Sequence, residues 1–338
     1  MNVLVTGAAG YVGSVCAQVL IERDLRVVAL DNLAEGHRQA VPEQALFAKC
    51  DLADRPQLDQ VFSSHRIDAV MHFAGEALVE KSVREPSTFY AANVACGVNL
   101  LDAMIRHGVK DFIFSSTAAV YGEPETLPIP EDHPKRPINP YGRTKLLFEQ
   151  ILDDYRRDTG LRYVALRYFN AAGASAERGE DHRKESHLIP RLIEVALGQR
   201  EHFPLNGTDY PTPDGTCVRD YVHILDIAEA HLLALEQIQR VSGQAFNVGN
   251  NRGYSVREVL QAARRISGRL IPAVETPRRP GDPATLVASS EKLRRDLGWS
   301  PRHSELPNIL ESAWRWKQQF PRGYEGARQA SARVSSNA

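Results

Sequence analysis

The chain has 338 residues, of which 43% are hydrophobic and 25% charged, and its formal net charge at pH 7 is -1. This composition is that of an ordinary globular protein, and it excludes disordered, collagen-like and strongly charged sequences. The near-neutral charge also argues against nucleic-acid binding, which relies on a basic surface to neutralise phosphates. The length predicts two domains, or one large α/β domain with an elaborated end.

The first 21 residues contain no charged side chain, and in length they resemble a signal peptide or a membrane span. No basic residue precedes Glu22, so the positively charged start of a signal peptide is missing. Glycines and polar residues also dilute the segment below the hydrophobicity of a spanning helix. A buried strand that leads into a buried helix explains the segment better, and we expect a cytoplasmic protein without a membrane partner.

Short β-branched runs alternate with helical stretches along the first half of the chain. Strands are predicted at residues 3–6, 26–30, 45–49, 69–73, 112–116 and 162–166, and helices at 10–22, 54–64 and 87–107. A further helix begins near Pro140, because proline suits the first helical position. This alternation predicts an α/β fold with a doubly wound, Rossmann-type parallel sheet that helices cover on both faces.

The second half of the chain is richer in Pro, Gly, Asn and Asp, and its helices are shorter, which is typical of a loop-rich substrate domain. We predict a dinucleotide-binding domain over residues 1–172, a smaller C-terminal α/β substrate domain over 173–325 and a flexible tail over 326–338. A return of the chain to the large sheet near residues 218–240, through the run 221–225, is left open.

The four cysteines are spread along the chain and form no C-x-x-C pair. Their spacing predicts neither a zinc site nor a disulfide framework, and we expect no metal. Reduced thiols are the default for such a chain. The cysteines are Cys16, Cys50, Cys96 and Cys217.

Three glycines follow the first strand with the spacing G-x-x-G-x-x-G, namely Gly7, Gly10 and Gly13. Such glycines permit a tight turn and a close approach of the backbone to a pyrophosphate, which the N–H groups of the following helix then hold. Taken alone, the loop could be a packing turn. However, Asp31 ends the second strand 18 residues after Gly13, where a carboxylate accepts the ribose hydroxyls of NAD. No arginine directly follows Asp31 to hold a 2′-phosphate, which favours NAD over NADP.

Tyr141 and Lys145 are four residues apart, so on a helix their side chains lie on one face. A tyrosine has an ordinary pKa of about 10, which is too high for a general base at neutral pH. A neighbouring ammonium, a nicotinamide cation and the helix N-terminus would lower that pKa. Such a phenol can remove a proton from a sugar hydroxyl as hydride leaves the same carbon. Thr117, at the carboxyl end of a predicted strand where ligands bind in this fold, could hydrogen-bond the reacting hydroxyl.

More specific motifs extend from residue 1 to about residue 324. They are GAAGYVGS (7–14), LDNL (30–33), HFAG (72–75), FSSTAAVYG (114–122), NPYGRTK (139–145), LRYFNAAGA (166–174), GEDH (179–182), HLIP (187–190), DGTCVRDYVH (214–223), FNVGN (246–250) and PRRPGD (277–282). On these motifs the chain resembles the UDP-glucose (UDP-galactose) 4-epimerases of the extended short-chain dehydrogenase/reductase family.

The resemblance implies a tightly held NAD that is not released between turnovers, and a UDP-hexose substrate. Tyr141 would be the base, Lys145 would lower its pKa and bind the nicotinamide ribose, and Thr117 stands where relatives have Ser or Thr. Hydride would leave C4 of the hexose to give a 4-keto sugar, and would return to the opposite face, so that UDP-galactose and UDP-glucose interconvert in galactose metabolism. A homodimer through helices 87–107 and 140–158 is also implied.

Further contacts are carried over from the resemblance. Those with NAD would come from Tyr11 and Val12 at the pyrophosphate, Asp31 and Asn32 at the adenosine ribose, Asp51 and Leu52 at the adenine, Phe73, Ala74 and Asn93 along the cleft, and Phe169 near the nicotinamide. Those with the UDP-sugar would come from Asn170, His187 and Leu188, from Arg219 and Arg279 on the diphosphate, and from Asp282 on the uridine ribose.

Several positions depart from the family pattern. No lysine follows the FAG segment over residues 76–79, so a cofactor contact made by some relatives is missing. His187 stands where many relatives have asparagine, and Asn206 stands where an aromatic residue often packs on uracil. Leu286 lies at the position associated with hexose size, so acceptance of N-acetylated hexoses or pentoses stays open.

Two rival functions are less compatible with these residues. A 4,6-dehydratase or a decarboxylase needs acidic residues directly after Thr117, but Ala118 and Ala119 occupy those positions and cannot transfer protons. A non-catalytic NAD-sensing protein would be expected to lack the Tyr141 and Lys145 pair. Simple epimerisation is therefore favoured.

Overall fold

The computed structural model describes residues 1–279 and 281–325, so the tail predicted over 326–338 lies outside the described residues. The strands are β1 (Asn2–Thr6), β2 (Arg26–Asp31), β3 (Leu46–Lys49), β4 (Ala69–His72), β5 (Asp111–Thr117), β6 (Arg162–Tyr168), β7 (Asn170–Ala172), β8 (Phe203–Asn206), β9 (Val218–His223), β10 (Gln244–Val248), β11 (Gly253–Ser255), β12 (Ala273–Thr276) and β13 (Thr285–Leu286). The helices are α1 (Tyr11–Glu22), α2 (Arg55–Ser64), α3 (Val79–Arg84), α4 (Pro86–Tyr90), α5 (Cys96–Arg106), α6 (Pro140–Thr159), α7 (Leu188–Ala196), α8 (Ile224–Glu236), α9 (Ile238–Val241), α10 (Val256–Ser267), α11 (Glu291–Leu297) and α12 (Leu306–Gln319).

Seven strands form a parallel sheet in the order β10-β6-β5-β4-β1-β2-β3. The chain runs outward from β1 to β3 and then, from β4, outward on the other side. Strand order therefore reverses between β1 and β4, and ligands of doubly wound sheets bind at the carboxyl ends of the strands at that point. The predicted doubly wound fold is confirmed.

The strands of this sheet are apolar on both faces because helices cover both. Val3 and Val5 of β1 face one core, which α1 and α8 complete, whereas Leu4 faces a second core with α2, α5 and α6. Successive side chains of a strand point to opposite faces, so a nearly continuous apolar run fills both cores. The four cysteines are free thiols.

The second half forms a smaller α/β part. Strands β7, β9, β11 and β13 make a four-stranded sheet, β8 pairs with β12, and α7, α10 and α12 close a third core. The run 221–225 does not enter the large sheet, because β9 pairs only with strands of the smaller sheet among the described residues. His223 instead caps α8, which packs on the large sheet, and β10 then joins its edge. The domain limits at residues 172 and 173 stay a prediction.

The helix predicted over 87–107 is interrupted by a π-helical turn, Ala91–Ala95, between α4 and α5. Such turns occur often at functional sites, and this one contains Asn93. By length and composition the continuous run Pro86–Arg106 could cross a membrane. Its residues Leu100 and Leu101 are fully buried against the large sheet, as in the core helix of a globular domain.

Candidate active site

The glycine loop lies where the strand order reverses, and two of its glycines have no room for a side chain. A Cβ on Gly7, whose φ is +70°, would lie 2.6 Å from the backbone nitrogen of Ala74. A Cβ on Gly13 would lie 2.2 Å from the carbonyl oxygen of Gly7. Gly10 precedes α1, and neither a capping side chain nor an acidic first-turn residue occupies the start of that helix in the described structure. The N–H groups of Tyr11 and its neighbours are thus left for an anion such as a pyrophosphate.

Asp31, at the end of β2, stabilises the glycine loop through hydrogen bonds. Its carboxylate accepts hydrogen bonds from the backbone N–H groups of Ala9 (3.0 Å) and Leu33 (2.8 Å). Burial raises the pKa of Asp31, and these two hydrogen bonds oppose the rise. Next to it, Asn32 donates to Asp51 at 2.9 Å. The structure therefore brings together the three polar residues that the resemblance assigns to the adenosine end.

The carbonyl of Leu52 accepts a hydrogen bond from Asn99 on α5 at 3.0 Å, which fixes the segment that the resemblance assigns to the adenine. Val12 lies on α1, partly buried against the core beneath the glycine loop.

Phe73, Ala74 and Asn93 lie on the opposite side of the glycine loop, after β4. The Asn93 side chain accepts a hydrogen bond from the N–H of Glu76 (2.8 Å) and donates to its carbonyl (3.0 Å). It also donates to Thr144 on α6 at 3.1 Å. In this structure Asn93 therefore ties the segment after β4 to the helix that carries Tyr141.

Helix α6 positions the Tyr141 and Lys145 side chains. Asn139 caps its start by accepting a hydrogen bond from the N–H of Gly142 at 2.9 Å, and Pro140 occupies the first turn. The buried ammonium of Lys145 donates to the carbonyl of Ser115 at 2.9 Å. Helix α6 is thereby attached to the carboxyl end of β5.

Tyr141 lies beside Thr117 at this end of β5. Burial raises the pKa of Tyr141, and the neighbouring Thr117 hydroxyl opposes the rise. Burial also lowers the pKa of Lys145 to about 8, against the negative charge of Glu149. The protein alone therefore does not acidify the phenol as the sequence predicted. The positive charge of an oxidised nicotinamide is still needed for that effect.

Next to Tyr141 and Lys145 lies a buried polar network that the sequence analysis did not predict. The Glu149 carboxylate accepts hydrogen bonds from Ser116 Oγ (2.6 Å) and from Arg167 Nε (2.9 Å) and Nη2 (2.5 Å). Arg167 also donates to the Tyr121 hydroxyl, which donates to Asn247 on β10. Two features of the sequence could have predicted this network. One is an arginine within an otherwise apolar strand, and the other is a glutamate one turn after Lys145.

The predicted sugar-nucleotide residues lie on the smaller part and its junction with the large sheet. Asn170 begins β7, directly after the buried Phe169. Arg219, on β9, is buried and donates to Asp282 at 3.3 Å. Leu286 lies opposite Arg219 in the β9–β13 register and packs on the apolar cluster that contains Phe169.

Arg191 on α7 is a residue that the sequence did not single out. Its Nε is buried and has no hydrogen-bond partner among the described residues. Burial lowers the pKa of Arg191, and the nearby charge of Arg279 lowers it further. Two like charges close together, one with an unpartnered buried donor, suit an anion such as a diphosphate. Leu188 begins the same helix, and His187 precedes it in contact with two glutamates.

The structure also shows the surroundings of two positions at which the sequence departs from the family pattern. Lys81 of α3 reaches the Glu76 carboxylate at 2.9 Å, so a lysine does lie beside the segment after β4. Asn206 ends β8, where its side-chain oxygen accepts a hydrogen bond from Thr276 at 3.0 Å.

The comparisons with known proteins agree with this geometry. The family described as "NAD dependent epimerase/dehydratase family" matches residues 3–249. The UDP-glucose 4-epimerase of Halalkalibacterium halodurans is 48% identical, over 96% of this chain and 98% of its own length. A solved structure of UDP-glucose 4-epimerase from Brucella ovis in complex with NAD is 44% identical, covers 93% of this chain and 97% of its own, and superposes with a TM-score of 0.89. That from Bifidobacterium longum with NAD⁺ and UDP is 36% identical, covers 96% and 100%, and has a TM-score of 0.91.

The family match spans well over half of the chain, and the similarity to these epimerases is nearly full-length. This similarity agrees with the reversal of strand order in the large sheet, the tightly packed glycine loop and the tyrosine and lysine on α6. The chain belongs to the NAD-dependent epimerase/dehydratase family.

Proposed function

We propose that the protein is a UDP-glucose 4-epimerase, which interconverts UDP-galactose and UDP-glucose at C4 of the hexose with a tightly bound NAD. The observation that carries the proposal is the placement of Tyr141 beside Thr117 at the carboxyl end of β5, with Lys145 one turn further along α6 and bonded to the same strand end. A base and a second hydroxyl are thereby held at the place where ligands of this fold bind.

The cleft fits NAD on its own geometry. The glycine loop is packed so tightly against Ala74 and against itself that Gly7 and Gly13 cannot carry a Cβ, and the uncapped start of α1 follows it, as in a pyrophosphate-binding turn. Asp31 and Asn32 would hold the adenosine ribose, and Lys145 the nicotinamide ribose. Bound NAD⁺ supplies a hydride acceptor and a positive charge beside the phenol.

The chain's own residues perform the proton transfer and hold the substrate. Tyr141 accepts the proton of the 4-hydroxyl group as C4 is oxidised and returns it when C4 is reduced, while Thr117 hydrogen-bonds the same oxygen. A positioned general base of this kind contributes roughly 10²- to 10⁴-fold to the rate. Arg219 and Arg279 hold the diphosphate. The hexose itself can then be bound loosely enough to rotate and present its other face to the nicotinamide.

A dehydratase is not favoured. It would need acidic groups directly after Thr117, but the 3₁₀ turn there consists of Ala118, Ala119 and Val120, which carry no ionisable group. Epimerisation needs no such groups because C4 is the only carbon at which bonds change.

The direct test is conversion of UDP-galactose to UDP-glucose by the purified protein without added NAD. We expect turnover, and we expect Tyr141→Phe to retain its bound NAD while turnover falls to background. Tyr155→Phe is the matched control, because Tyr155 lies on the same helix, 14 residues after Tyr141, and its hydroxyl is hydrogen-bonded to Asp102 on α5. Unchanged turnover in Tyr141→Phe removes Tyr141 from its role, and accumulation of a 4-keto-6-deoxy sugar overturns the assignment.

The range of UDP-hexoses that the site accepts depends on Leu286, whose side chain is of intermediate size. We propose plain UDP-hexoses as the main substrates. Relative rates on UDP-galactose and UDP-N-acetylgalactosamine test this, and equal rates would contradict it.

The oligomer proposed is a homodimer in the cytoplasm, formed through α5, α6 and the elements beside them. Val83, Tyr90 and Leu147 are large exposed apolar side chains on α3, α4 and α6. Burial of such side chains is typical of an interface between subunits. Light scattering of the purified protein measures its mass, and Leu147→Glu is expected to shift it to that of a monomer.

A further inference from the structure

Four side chains of one loop converge at the start of α7. Glu180, His182, Glu185 and His187 each offer one ligand-type atom, and these four atoms lie within 4.8 Å of one another. The carboxylate side chains are only 8% and 6% exposed, whereas the imidazoles are 35% and 44% exposed. Two buried carboxylates thus face two histidines that are accessible from solvent.

Each histidine of this cluster contacts both acids through a single nitrogen atom. His187 Nδ1 lies 2.9 Å from a Glu180 oxygen and 3.0 Å from a Glu185 oxygen. His182 Nδ1 lies 3.3 Å from the same Glu180 oxygen and 3.4 Å from the other Glu185 oxygen, so Glu185 faces the two histidines with its two oxygens. An Nδ1 atom carries at most one hydrogen, so it can direct one linear hydrogen bond and not two. Nitrogens that are each nearly equidistant from both acids are what a central cation imposes on its ligands.

The size and chemistry of the cluster suit zinc. Zinc bound at about 2.0–2.2 Å to nitrogen and oxygen ligands in a tetrahedron places neighbouring ligand atoms about 3.3–3.5 Å apart. The two His182 contacts meet this value, and the two His187 contacts need to lengthen by a few tenths of an ångström. Two imidazoles with two carboxylates favour Zn²⁺ over Mg²⁺ or Ca²⁺, which prefer oxygen ligands alone.

The surroundings orient the ligands. The Glu185 oxygen nearest His187 also accepts hydrogen bonds from the backbone N–H groups of Ser186 and His187, at 2.7 Å each. Outer hydrogen bonds of this kind hold a ligating carboxylate in place. The cluster also lies close to the phosphate-binding groups, since Glu185 acts on Arg191 of α7.

We propose that Glu180, His182, Glu185 and His187 form a site for one Zn²⁺ ion, which ties the loop before α7 to the start of that helix. The site does not take part in proton or hydride transfer. It assigns the His187 side chain to the metal, whereas the resemblance assigns it to the nucleotide. It also goes against the expectation of no metal, which rested on the spacing of the cysteines.

The test measures metal binding and does not depend on epimerase activity, so its outcome is separate from that of the proposed function. The full-length protein, with any affinity tag removed, is treated with a chelator, dialysed into metal-free buffer and titrated with Co²⁺ and Zn²⁺. We expect about one ion per chain and the intense visible absorption of tetrahedral Co²⁺. In His182→Ala, Zn²⁺ affinity measured against a chromophoric chelator is expected to fall by about 100-fold or more.

His202→Ala is the matched control, because His202 is an exposed histidine of the same half of the chain that lies outside the cluster. Its Zn²⁺ affinity is expected to equal that of the wild type. Glu185→Gln, which keeps the shape of the side chain, replaces His182→Ala should the latter fail to fold by circular dichroism. Wild-type protein that binds neither ion overturns the proposal and leaves an ion-paired cluster. Equal affinity in the ligand variants and the wild type also overturns it.

Discussion

Glu149 offers the sharpest test of how the fold controls the active site. Glu149→Gln keeps the size of the side chain but removes its charge from between α6, β5 and β6. Two consequences follow from its contacts. Arg167 loses the carboxylate that holds its guanidinium at 2.5 and 2.9 Å. Lys145, one turn earlier on α6, loses the negative charge that opposes the effect of burial on its pKa.

The size of each effect follows from the burial of the groups. The Glu149 and Arg167 side chains are only 9% and 4% exposed, and breaking a buried pair costs about 3–5 kcal/mol because one charge is left without a partner. A domain is stable by roughly 5–15 kcal/mol, so the variant should fold with a lowered Tm. With a pKa of about 8, Lys145 is mostly protonated at pH 7. In Glu149→Gln the pKa of Lys145 falls below that value.

The assay is the pH profile of turnover together with urea unfolding at pH 7. If turnover needs the Lys145 ammonium, the loss of activity on the alkaline side moves to lower pH in Glu149→Gln, an effect that destabilisation alone does not produce. Asp154→Asn is the control, because Asp154 is an exposed acid on α6 with 76% of its side chain accessible. It should change stability by less than about 0.5 kcal/mol. An unchanged pH profile in Glu149→Gln would refute the electrostatic part of the reasoning.

Three further predictions concern other parts of the molecule. Gly13→Ala places a Cβ 2.2 Å from the Gly7 carbonyl oxygen, so we expect the isolated protein to bind NAD about tenfold or more weakly, measured by cofactor content and fluorescence titration. Burial lowers the pKa of His231 to about 4. As the pH falls from 6.5 towards 4 the unfolded chain binds a proton that the folded chain does not, so about 3 kcal/mol of stability is lost. His231→Leu should remove that part of the pH dependence in urea unfolding, and equal slopes for both proteins would contradict this. Arg191→Met should raise the KM for UDP-galactose by roughly 10-fold or more with little change in kcat, because a charge-assisted hydrogen bond is lost; an unaltered KM would show that Arg191 does not reach the diphosphate.

The local part of the fold could be read from the sequence because each signal lies within a short stretch. The β-branched runs that predict β1 to β6, the glycine spacing that ends in Gly13 and the proline that begins α6 all act through neighbours in the chain. The tyrosine and lysine pair of α6 belongs to the same class, since four residues on a helix bring two side chains to one face.

The run 221–225 shows where such signals fail. Its apolar, β-branched residues are compatible with a strand in either sheet, and its pairing with β7, β11 and β13 depends on partners up to tens of residues away. The end of the run then becomes α8, because His223 caps the helix. The sequence predicted an extended segment, but it could not say which sheet that segment joins.

The charges of the site likewise depend on tertiary structure. The sequence alone determined that a Rossmann-type sheet, a dinucleotide loop and a tyrosine and lysine pair are present. Only the folded chain decided that burial raises the pKa of Tyr141, that Glu149 meets Arg167 from another element, and that the loop before α7 gathers two acids and two histidines. The reason is that periodicity and turns arise from adjacent residues, whereas desolvation and charge pairing arise from groups that meet only when distant segments pack.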